Sequence, residues 1–331
     1  MRTIAMINQK GGVGKTTTVA NLAAALAARG RRVLAIDMDP QSHLTMHLGV
    51  DSIASGIYEV LTAGAALADS YVRVNETLAV VPSSIDLAGA EIELVSTVGR
   101  EQLLADRIAT ESLPFDYALI DCPPSLGLLT LNALAAADEV IIPLQPHFLA
   151  LQGFGKLLET VAVVQRRINR KLRVFGVVLC MYESATRLAA EVTDDIELFL
   201  KNDAVATPWA GAVLFETRIR RNVKLAECPS FGQTINAYAP WSNGAVDYEF
   251  LADEFLALHG DKVDAAQPAN VAVPAMPAPK AATQPSQPAP AAPAPIQVAA
   301  ASASPQPASV QAQMQSDLRA GGAAADGNPQ V

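Results

Sequence analysis

The sequence predicts an α/β protein built on a mostly parallel, twisted sheet that is flanked by helices on both faces. Short, almost uniformly apolar segments alternate with longer helical patterns, which is typical of strands buried on both faces. A glycine-rich turn joins the first of these strands to the first helix. Acidic residues follow two later strands, at the edge where open α/β sheets bind ligands.

The predicted strands are short and rich in β-branched residues, and the predicted helices between them are longer. The strands are expected at residues 3–7, 33–36, 78–81, 117–120, 139–143, 174–179 and 213–215. The helices are expected at residues 16–29, 87–95, 101–111, 128–137, 151–168, 188–201 and 245–259. This alternation predicts crossover connections between parallel strands.

Composition divides the chain into one folded domain and a tail. Of the 331 residues, 50% are hydrophobic and 17% are charged, which is ample material for a buried core. Residues 261–331 contain 12 of the 22 prolines and no Phe, Trp or Tyr, so this segment cannot bury enough apolar surface to offset its ordering entropy. We therefore expect a domain over residues 1–260 and a disordered Ala/Pro-rich tail over residues 261–331.

Charge and cysteine content limit the classes of protein that fit. The net charge of −9 argues weakly against indiscriminate nucleic-acid binding, although it permits a local basic patch. The three cysteines form no C-x-x-C pair, which fits a reducing compartment. No apolar run approaches the roughly 18 residues that a membrane span needs. We expect a cytoplasmic protein.

The strongest local signal is the segment 8–17, Asn-Gln-Lys-Gly-Gly-Val-Gly-Lys-Thr-Thr, between the first strand and the first helix. Its glycines permit positive φ angles that turn backbone N–H groups toward an anion, and the helix start adds a positive end. Lys15 would reach the β- and γ-phosphates, and the Thr16 hydroxyl would hold Mg²⁺. The usual pattern has glycine where this chain has Gln9, and Lys10 is an additional lysine. The predicted nucleotide-binding residues are Lys10, Gly11, Gly12, Val13, Gly14, Lys15, Thr16 and Thr17.

Two acidic segments follow apolar strands. Asp37 and Asp39 come after residues 33–36, and Asp121 comes after residues 117–120. Hydrolysis of a nucleoside triphosphate needs a carboxylate that binds Mg²⁺, directly or through water, and a polar group that aligns the attacking water. Asp-Pro and Asp-x-Pro sequences also start ordinary turns. Beside the phosphate-binding segment, however, Asp121 is the predicted metal carboxylate and Asp37 is a partner near the metal.

The segment 10–17 resembles the deviant Walker A motif of the ParA/MinD group of P-loop ATPases. The resemblance implies ATP and Mg²⁺ as ligands and an ATP-sandwiched homodimer in which Lys10 crosses to the partner's nucleotide. It also implies that Asp39 orients the attacking water. The predicted catalytic residues are therefore Lys10, Lys15 and Asp39, and the predicted metal residues are Thr16, Asp37 and Asp121.

Residues 116–134 and 221–232 resemble the ParA/Soj branch of this group, and the likeness extends over residues 3–255. MinD-like membrane cycling requires a basic amphipathic helix at the C-terminus. The predicted helix 245–259 instead carries four acidic residues and no lysine or arginine. We expect no membrane partner.

The ParA/Soj resemblance implies that the ATP-bound dimer binds DNA without sequence preference, which requires clustered lysine and arginine side chains. Asn222 is the candidate for contact with the nucleotide base. A second cationic group, in residues 166–171, fits a DNA contact and a solvated face equally well. The predicted DNA-binding residues are Arg187, Arg218, Arg220, Arg221 and Lys224.

The chain departs from the ParA/Soj pattern at two positions. Ala185 stands where an arginine is common, and Gln152 stands where a glutamate is usual. Both departures leave the strength of DNA binding and the cargo open. His147 lies on a loop without a nucleophile beside it and is predicted to be a surface or capping histidine.

The prediction from sequence is a ParA-like ATPase that associates with nucleoid DNA and partitions a chromosome or plasmid, with a ParB-like protein as its activator. Two alternatives remain open. One is a ParA-like positioning factor for a protein assembly such as a chemoreceptor cluster, and the other is an ATP-sensing regulator with negligible turnover. The neighbouring reading frame would distinguish the first two functions.

Overall fold

A computed structural model describes residues 1–51, 54–147, 150–184, 187–201 and 207–261. The strands are β1 (Arg2–Met6), β2 (Val33–Asp37), β3 (Val72–Arg73), β4 (Leu78–Val81), β5 (Tyr117–Asp121), β6 (Glu139–Leu144), β7 (Arg173–Tyr182), β8 (Val213–Leu214) and β9 (Ile219–Arg220). The helices are α1 (Lys15–Ala28), α2 (His43–His47), α3 (Ile57–Thr62), α4 (Leu67–Ser70), α5 (Leu87–Glu93), α6 (Leu103–Thr110), α7 (Leu128–Ala136), α8 (Ala150–Arg167), α9 (Arg187–Lys201), α10 (Val223–Glu227), α11 (Ile235–Tyr238) and α12 (Asn243–Leu258).

The strands form one sheet in the order β3-β4-β2-β5-β1-β6-β7-β8, and β9 also pairs with β7. Every pairing is parallel except that of β3 with β4. The order reverses on either side of β1, which places the start of the chain at the centre of the sheet. This architecture confirms the predicted fold class.

Both faces of the sheet are covered by buried apolar side chains. On one face, α1 and α12 contribute residues such as Leu26 and Phe255, and on the other face α7 and α8 contribute Leu134 and Val161. All four of these side chains are fully buried. Each such side chain stabilises the fold by about 1.5–3 kcal/mol relative to an exposed one. The uniformly buried central strands explain why the sequence shows continuous apolar runs.

The observed elements differ from the predicted ones mainly in the short pieces. Strand β5 extends through Asp121, which is therefore a strand residue. Strands β3 and β9 and helices α2, α3, α4, α10 and α11 were not predicted, because elements of two to six residues show too little periodicity. Ala185, the side chain of Gln152 and residues 262–331 lie outside the described residues, so the predicted tail remains a prediction.

Candidate nucleotide site

The carboxyl ends of three central strands meet at one edge of the sheet. Asp121 at the end of β5 pairs in register with Asp37 at the end of β2 and with Met6 at the end of β1. The glycine-rich segment begins directly after β1. The structure therefore brings together the three segments that the sequence predicted to form one site.

The turn before α1 has the backbone conformation that a phosphate cradle requires. Gly12 has φ 72° and Gly14 has φ 97°, both in the left-handed region that favours glycine. A Cβ atom at Gly14 would also lie 3.5 Å from the Cβ atom of Cys180. Gly14 is the N-cap of α1, and no side chain caps this helix start. The geometry suits an anion bound at the helix N-terminus.

Lys15 is held inside the site. Its side chain is only 7% exposed, and its Nζ atom lies 3.4 Å from the backbone oxygen of Lys10. Burial lowers the pKa of Lys15, and the negative charges of Asp121 and Asp39 oppose that shift. A buried ammonium with few partners is well suited to receive phosphate oxygens.

Thr16 and Asp121 form a short hydrogen-bonded pair in the site. The Thr16 hydroxyl donates to Oδ2 of Asp121 at 2.6 Å, while Oδ1 of Asp121 is buried without a hydrogen-bond partner among the described residues. Burial, with a smaller contribution from Asp37, raises the pKa of Asp121 well above its ordinary value. Mg²⁺ is commonly held by one or two protein ligands together with phosphates and water. The orphaned carboxylate oxygen beside a hydroxyl therefore fits Mg²⁺.

Asp37 is fully buried, and its oxygens are already engaged. Its Oδ2 accepts hydrogen bonds from the Thr45 backbone N–H at 2.9 Å and the Thr45 hydroxyl at 2.7 Å. Its Oδ1 accepts from the backbone N–H of Asp39 at 3.1 Å. Burial raises the pKa of Asp37 to about 6. These contacts favour a supporting position beside the metal and fix the loop that carries Asp39.

Replacing Asp37 by asparagine is expected to change how stability depends on pH. Because the pKa of Asp37 is about 6 when folded and 3.8 ordinarily, the native chain takes up a proton on folding between these values and loses stability as pH rises through this window. The difference in unfolding free energy between Asp37→Asn and the native chain should therefore shift in favour of the variant by up to about 3 kcal/mol as pH rises from 4 to 7. Denaturant unfolding without nucleotide or metal measures this difference.

The matched control is Asp116→Asn, because Arg32 lowers the pKa of Asp116. Here the native carboxylate stabilises the fold above its ordinary pKa, so the variant should be weakest at neutral pH and approach the native chain in acid. A stability difference for Asp37→Asn that does not vary between pH 4 and pH 7 would contradict the assignment of a buried carboxylate with a raised pKa.

Asp39 lies at the partly exposed rim of the site. Its Oδ1 accepts a hydrogen bond from the backbone N–H of Gln41 at 2.9 Å. Its charge is near enough to affect the pKa values of Lys15 and Asp121. A carboxylate beside the buried pair and open to solvent could contact a water molecule, so the predicted catalytic role is sterically reasonable.

Lys10 is exposed and contacts a residue whose role the sequence did not predict. Its Nζ atom lies 2.6 Å from Nε2 of His147, and both residues line a cavity of about 250 Å³. Asn8 links this turn to β6, since its amide donates to the Pro143 oxygen and its Oδ1 accepts from the Lys10 N–H. Partial burial and the positive charge of Lys10 lower the pKa of His147, which favours the neutral imidazole as an acceptor for the Lys10 ammonium. The available signal was that His147 follows β6 at the ligand-binding edge.

The predicted DNA-binding segment carries cations that already have partners. Arg220 pairs with the buried Asp247 at 2.6 Å and Arg221 pairs with Glu183 at 2.8 Å. The Lys224 ammonium lies 2.8 Å from Glu227, and the Arg218 guanidinium lies 4.8 Å from the centre of the Tyr182 ring. A DNA phosphate would have to compete with these contacts. The predicted role of this segment remains a prediction.

The remaining predicted contacts occupy different environments. Arg187 is the first residue of α9 and is exposed. Asn222 is the N-cap of α10, and its Oδ1 accepts a hydrogen bond from the Lys224 N–H at 2.8 Å. Its carbonyl oxygen is therefore used by the helix cap, and its base-binding role remains a prediction.

The helix predicted to disfavour membranes carries acidic residues with structural partners. On α12, Asp247 holds Arg220, and Asp253 holds the buried Arg29. Within the described part of the chain, none of the helices combines the length and apolar character that crossing a bilayer requires.

The parallel sheet, the glycine cradle after its central strand, the buried lysine and the Thr–Asp pair define a P-loop nucleotide-binding protein. Comparisons with known proteins narrow this class. The model of a family described as AAA domain matches residues 1–174. A solved structure of cobyrinic acid a,c-diamide synthase from Mycobacterium smegmatis, with bound ADP and magnesium, is 37% identical with a TM-score of 0.66, covering 81% of this chain and 100% of that one.

Characterised relatives identify the branch. The sporulation initiation inhibitor protein Soj of Bacillus subtilis is 44% identical over 257 residues, covering 77% of this chain and 98% of Soj. The chromosome partitioning protein ParA of Myxococcus xanthus is 43% identical over 258 residues, covering 77% of this chain and 88% of that protein. The chain belongs to the Soj/ParA family of chromosome-partitioning ATPases. This result confirms the family predicted from the sequence motifs.

Proposed function

We propose that this chain binds ATP with Mg²⁺, dimerises around two ATP molecules and uses hydrolysis to time its release from DNA. The observation that carries the proposal is the contrast between two lysines of the glycine-rich segment 8–17. Lys15 is buried in the cradle, whereas Lys10 is exposed at its rim. A lysine in the cradle can serve its own subunit's phosphates, and an exposed lysine, held here only by its contact with His147, can reach a nucleotide held by a second copy.

The proposed division of labour follows the contacts in the site. The backbone of the cradle from Gly11 to Thr17 and the side chain of Lys15 would bind the phosphates. Thr16 and Asp121 would hold Mg²⁺, which supplies charge neutralisation when bound, and Asp37 would fix the neighbouring loop. Asp39 would orient the attacking water. Lys10 would complete the partner's site by adding positive charge as negative charge develops on the phosphates.

The proposed partners are non-specific DNA and a ParB-like activating protein. The names of the relatives, which refer to chromosome partitioning, support a DNA cargo over a protein assembly. DNA binding would place the ATP dimer on the nucleoid, and the activator would stimulate hydrolysis and release it. The proposed DNA contacts are Arg187 and the cations of the segment 218–224. Asn222, in the same segment, is the proposed contact with the nucleotide base.

The direct test is steady-state ATP hydrolysis by the purified chain alone, with duplex DNA, and with the ParB-like protein encoded nearest to it. We expect slow turnover alone and a several-fold increase when DNA and the activator are both present. Hydrolysis that neither addition changes would contradict the proposal and favour the ATP-sensing regulator.

A double substitution tests the proposed DNA segment. Arg221→Ala with Lys224→Ala should weaken binding of the ATP-bound chain to mixed-sequence duplex DNA at low salt, because two phosphate contacts are lost. The slope of log K against log salt concentration should decrease by about 2. Fluorescence anisotropy with a labelled duplex, repeated over a salt series, measures both quantities.

The opposite variant provides the control. Glu183→Gln with Glu227→Gln removes the carboxylates that hold the same two cations. If these cations contact DNA, their release should strengthen binding and steepen the salt dependence. Binding that neither double variant alters would exclude this segment as a DNA contact.

A further inference from the structure

We propose that a basic turn at the end of α8 is a second surface of this chain that contacts the phosphates of duplex DNA. The basic turn is defined as Arg166, Arg167, Arg170 and Lys171. The inference rests on the proposed function in one respect, which is that the ATP-bound chain binds DNA. The proposed surface is a different one, because none of these four residues belongs to the segment 218–224.

The four cations of the basic turn are exposed and lack the partners that neutralise the segment 218–224. Across the described ranges, no hydrogen bond or ion pair is made by the side chain of any of them. Two carboxylates at the start of β6 are engaged elsewhere: Asp138, just before the strand, accepts from the Thr3 N–H, and Glu139 holds Arg173 and His259. The basic turn therefore concentrates uncompensated positive charge on a chain whose net charge is −9.

Hydrogen bonds from two side-chain amides fix the backbone of the basic turn. The Asn169 amide donates to the backbone oxygens of Leu134 at 3.0 Å and Ala137 at 2.6 Å, and its Oδ1 accepts from the Lys171 N–H at 3.2 Å. The Gln165 amide donates to the Leu172 oxygen at 3.0 Å. Because the turn is already ordered, binding a phosphate does not carry the additional cost of ordering the backbone.

The basic turn and the segment 218–224 lie at opposite ends of β7. Arg173 begins β7 directly after the turn, and Tyr182 at the other end pairs with Arg220. The strand has 10 residues, so at about 3.3 Å per residue its ends are roughly 30 Å apart. The nucleotide site also lies at the carboxyl edge of the sheet. The charges of the basic turn can therefore be removed without touching the nucleotide site or the other DNA segment.

Duplex DNA fits the basic turn better than an anionic membrane. The apolar side chains next to these cations turn inward, since Ile168 packs against the core and Leu172 is fully buried. Surface-bound membrane segments combine cations with apolar side chains that enter the lipid. Binding to DNA phosphates requires only clustered cations, and arginine offers forked donors that match phosphate oxygens.

The test replaces the four cations by glutamine in one variant, R166Q/R167Q/R170Q/K171Q. The matched control, R32Q/R73Q/K156Q/K201Q, removes four exposed cations scattered over the surface and changes the net charge equally. Both are compared with the native chain in Mg²⁺-ATP by anisotropy with a mixed-sequence duplex. We expect the basic-turn variant to bind about tenfold or more weakly with a salt slope lower by at least about 2, and the control to change affinity about twofold or less.

The possible outcomes separate the two proposals. If the native chain fails to bind duplex DNA, the DNA part of the proposed function is wrong. If the native chain binds and the two quadruple variants behave alike, only the basic turn is excluded. DNA-free ATP hydrolysis should be native in both variants, and R170Q/K171Q, which leaves α8 intact, should show about half the change in slope. Loss of binding to vesicles of phosphatidylglycerol with unchanged DNA binding would overturn the proposal in favour of lipid.

Discussion

Asp39→Ala is expected to abolish turnover while ATP-dependent dimerisation and DNA binding persist. Asp39 lies at the open rim, and its side chain accepts a hydrogen bond only from the Gln41 backbone among the described residues. The variant therefore leaves the cradle, Lys15 and the Thr16–Asp121 pair in place. Loss of a group that aligns or deprotonates the attacking water should reduce the hydrolysis rate by about 100-fold or more.

The measurement is single-turnover hydrolysis together with retention on a DNA-coated surface after free protein is washed away. The Asp39→Ala variant should stay bound to DNA much longer than the native chain, because its dimer cannot hydrolyse ATP and dissociate. Asp69→Ala, at an acidic residue of α4 in a different part of the chain, is a matched control and should behave like the native chain. Hydrolysis by Asp39→Ala at the native rate would show that another group acts on the water.

Lys10→Ala is expected to separate ATP binding from dimerisation. The buried Lys15 and the glycine cradle remain, so a single subunit should still bind Mg²⁺-ATP. Without the cation delivered to the partner's phosphates, the dimer should not form, and hydrolysis should fall by a factor of about 10³ or more. Sedimentation velocity in ATP, with nucleotide binding measured in parallel, distinguishes the two steps.

His147→Ala is the control for this prediction. It removes the residue that the Lys10 ammonium contacts at 2.6 Å within the same chain, and it keeps Lys10 itself. This variant should dimerise in ATP, because a single hydrogen bond within one chain contributes only about 1 kcal/mol to stability. An ATP-dependent dimer formed by Lys10→Ala would show that Lys10 is not needed across the interface.

The sequence predicted the centre of the site because that centre is built from contiguous residues. A strand, a glycine turn and a helix follow one another over residues 2–28, so the spacing alone places Lys15 and Thr16 at a helix start. Asp37 and Asp121 each end an apolar strand, and parallel strands end at a common edge. The sequence does not show that β2 and β5 are neighbours. The carboxyl ends of parallel strands nevertheless lie at the same edge of the sheet for any strand order.

The surroundings of the site could not be predicted, because they depend on contacts between distant segments. The Lys10–His147 contact joins residues 137 positions apart, and the Arg220–Asp247 pair joins residues 27 positions apart. A run of cations looks alike in sequence whether carboxylates hold it or not. Only the structure distinguishes the paired segment 218–224 from the basic turn, and only the structure shows that Thr45 occupies the Asp37 carboxylate.

The central claim is that two chains complete each other's ATP sites, and mixing two inactive variants tests it most directly. Lys10→Ala and Asp39→Ala are combined in equal amounts before ATP is added, and steady-state hydrolysis is measured. In a mixed dimer, one of the two sites has its own Asp39 and receives Lys10 from the partner, so hydrolysis should rise well above the level of either separate variant, to about a quarter of the native value where the two chains pair at random. If Lys10 acts within its own subunit, every site in the mixture carries a defect, and hydrolysis that stays at the level of the separate variants would contradict the account.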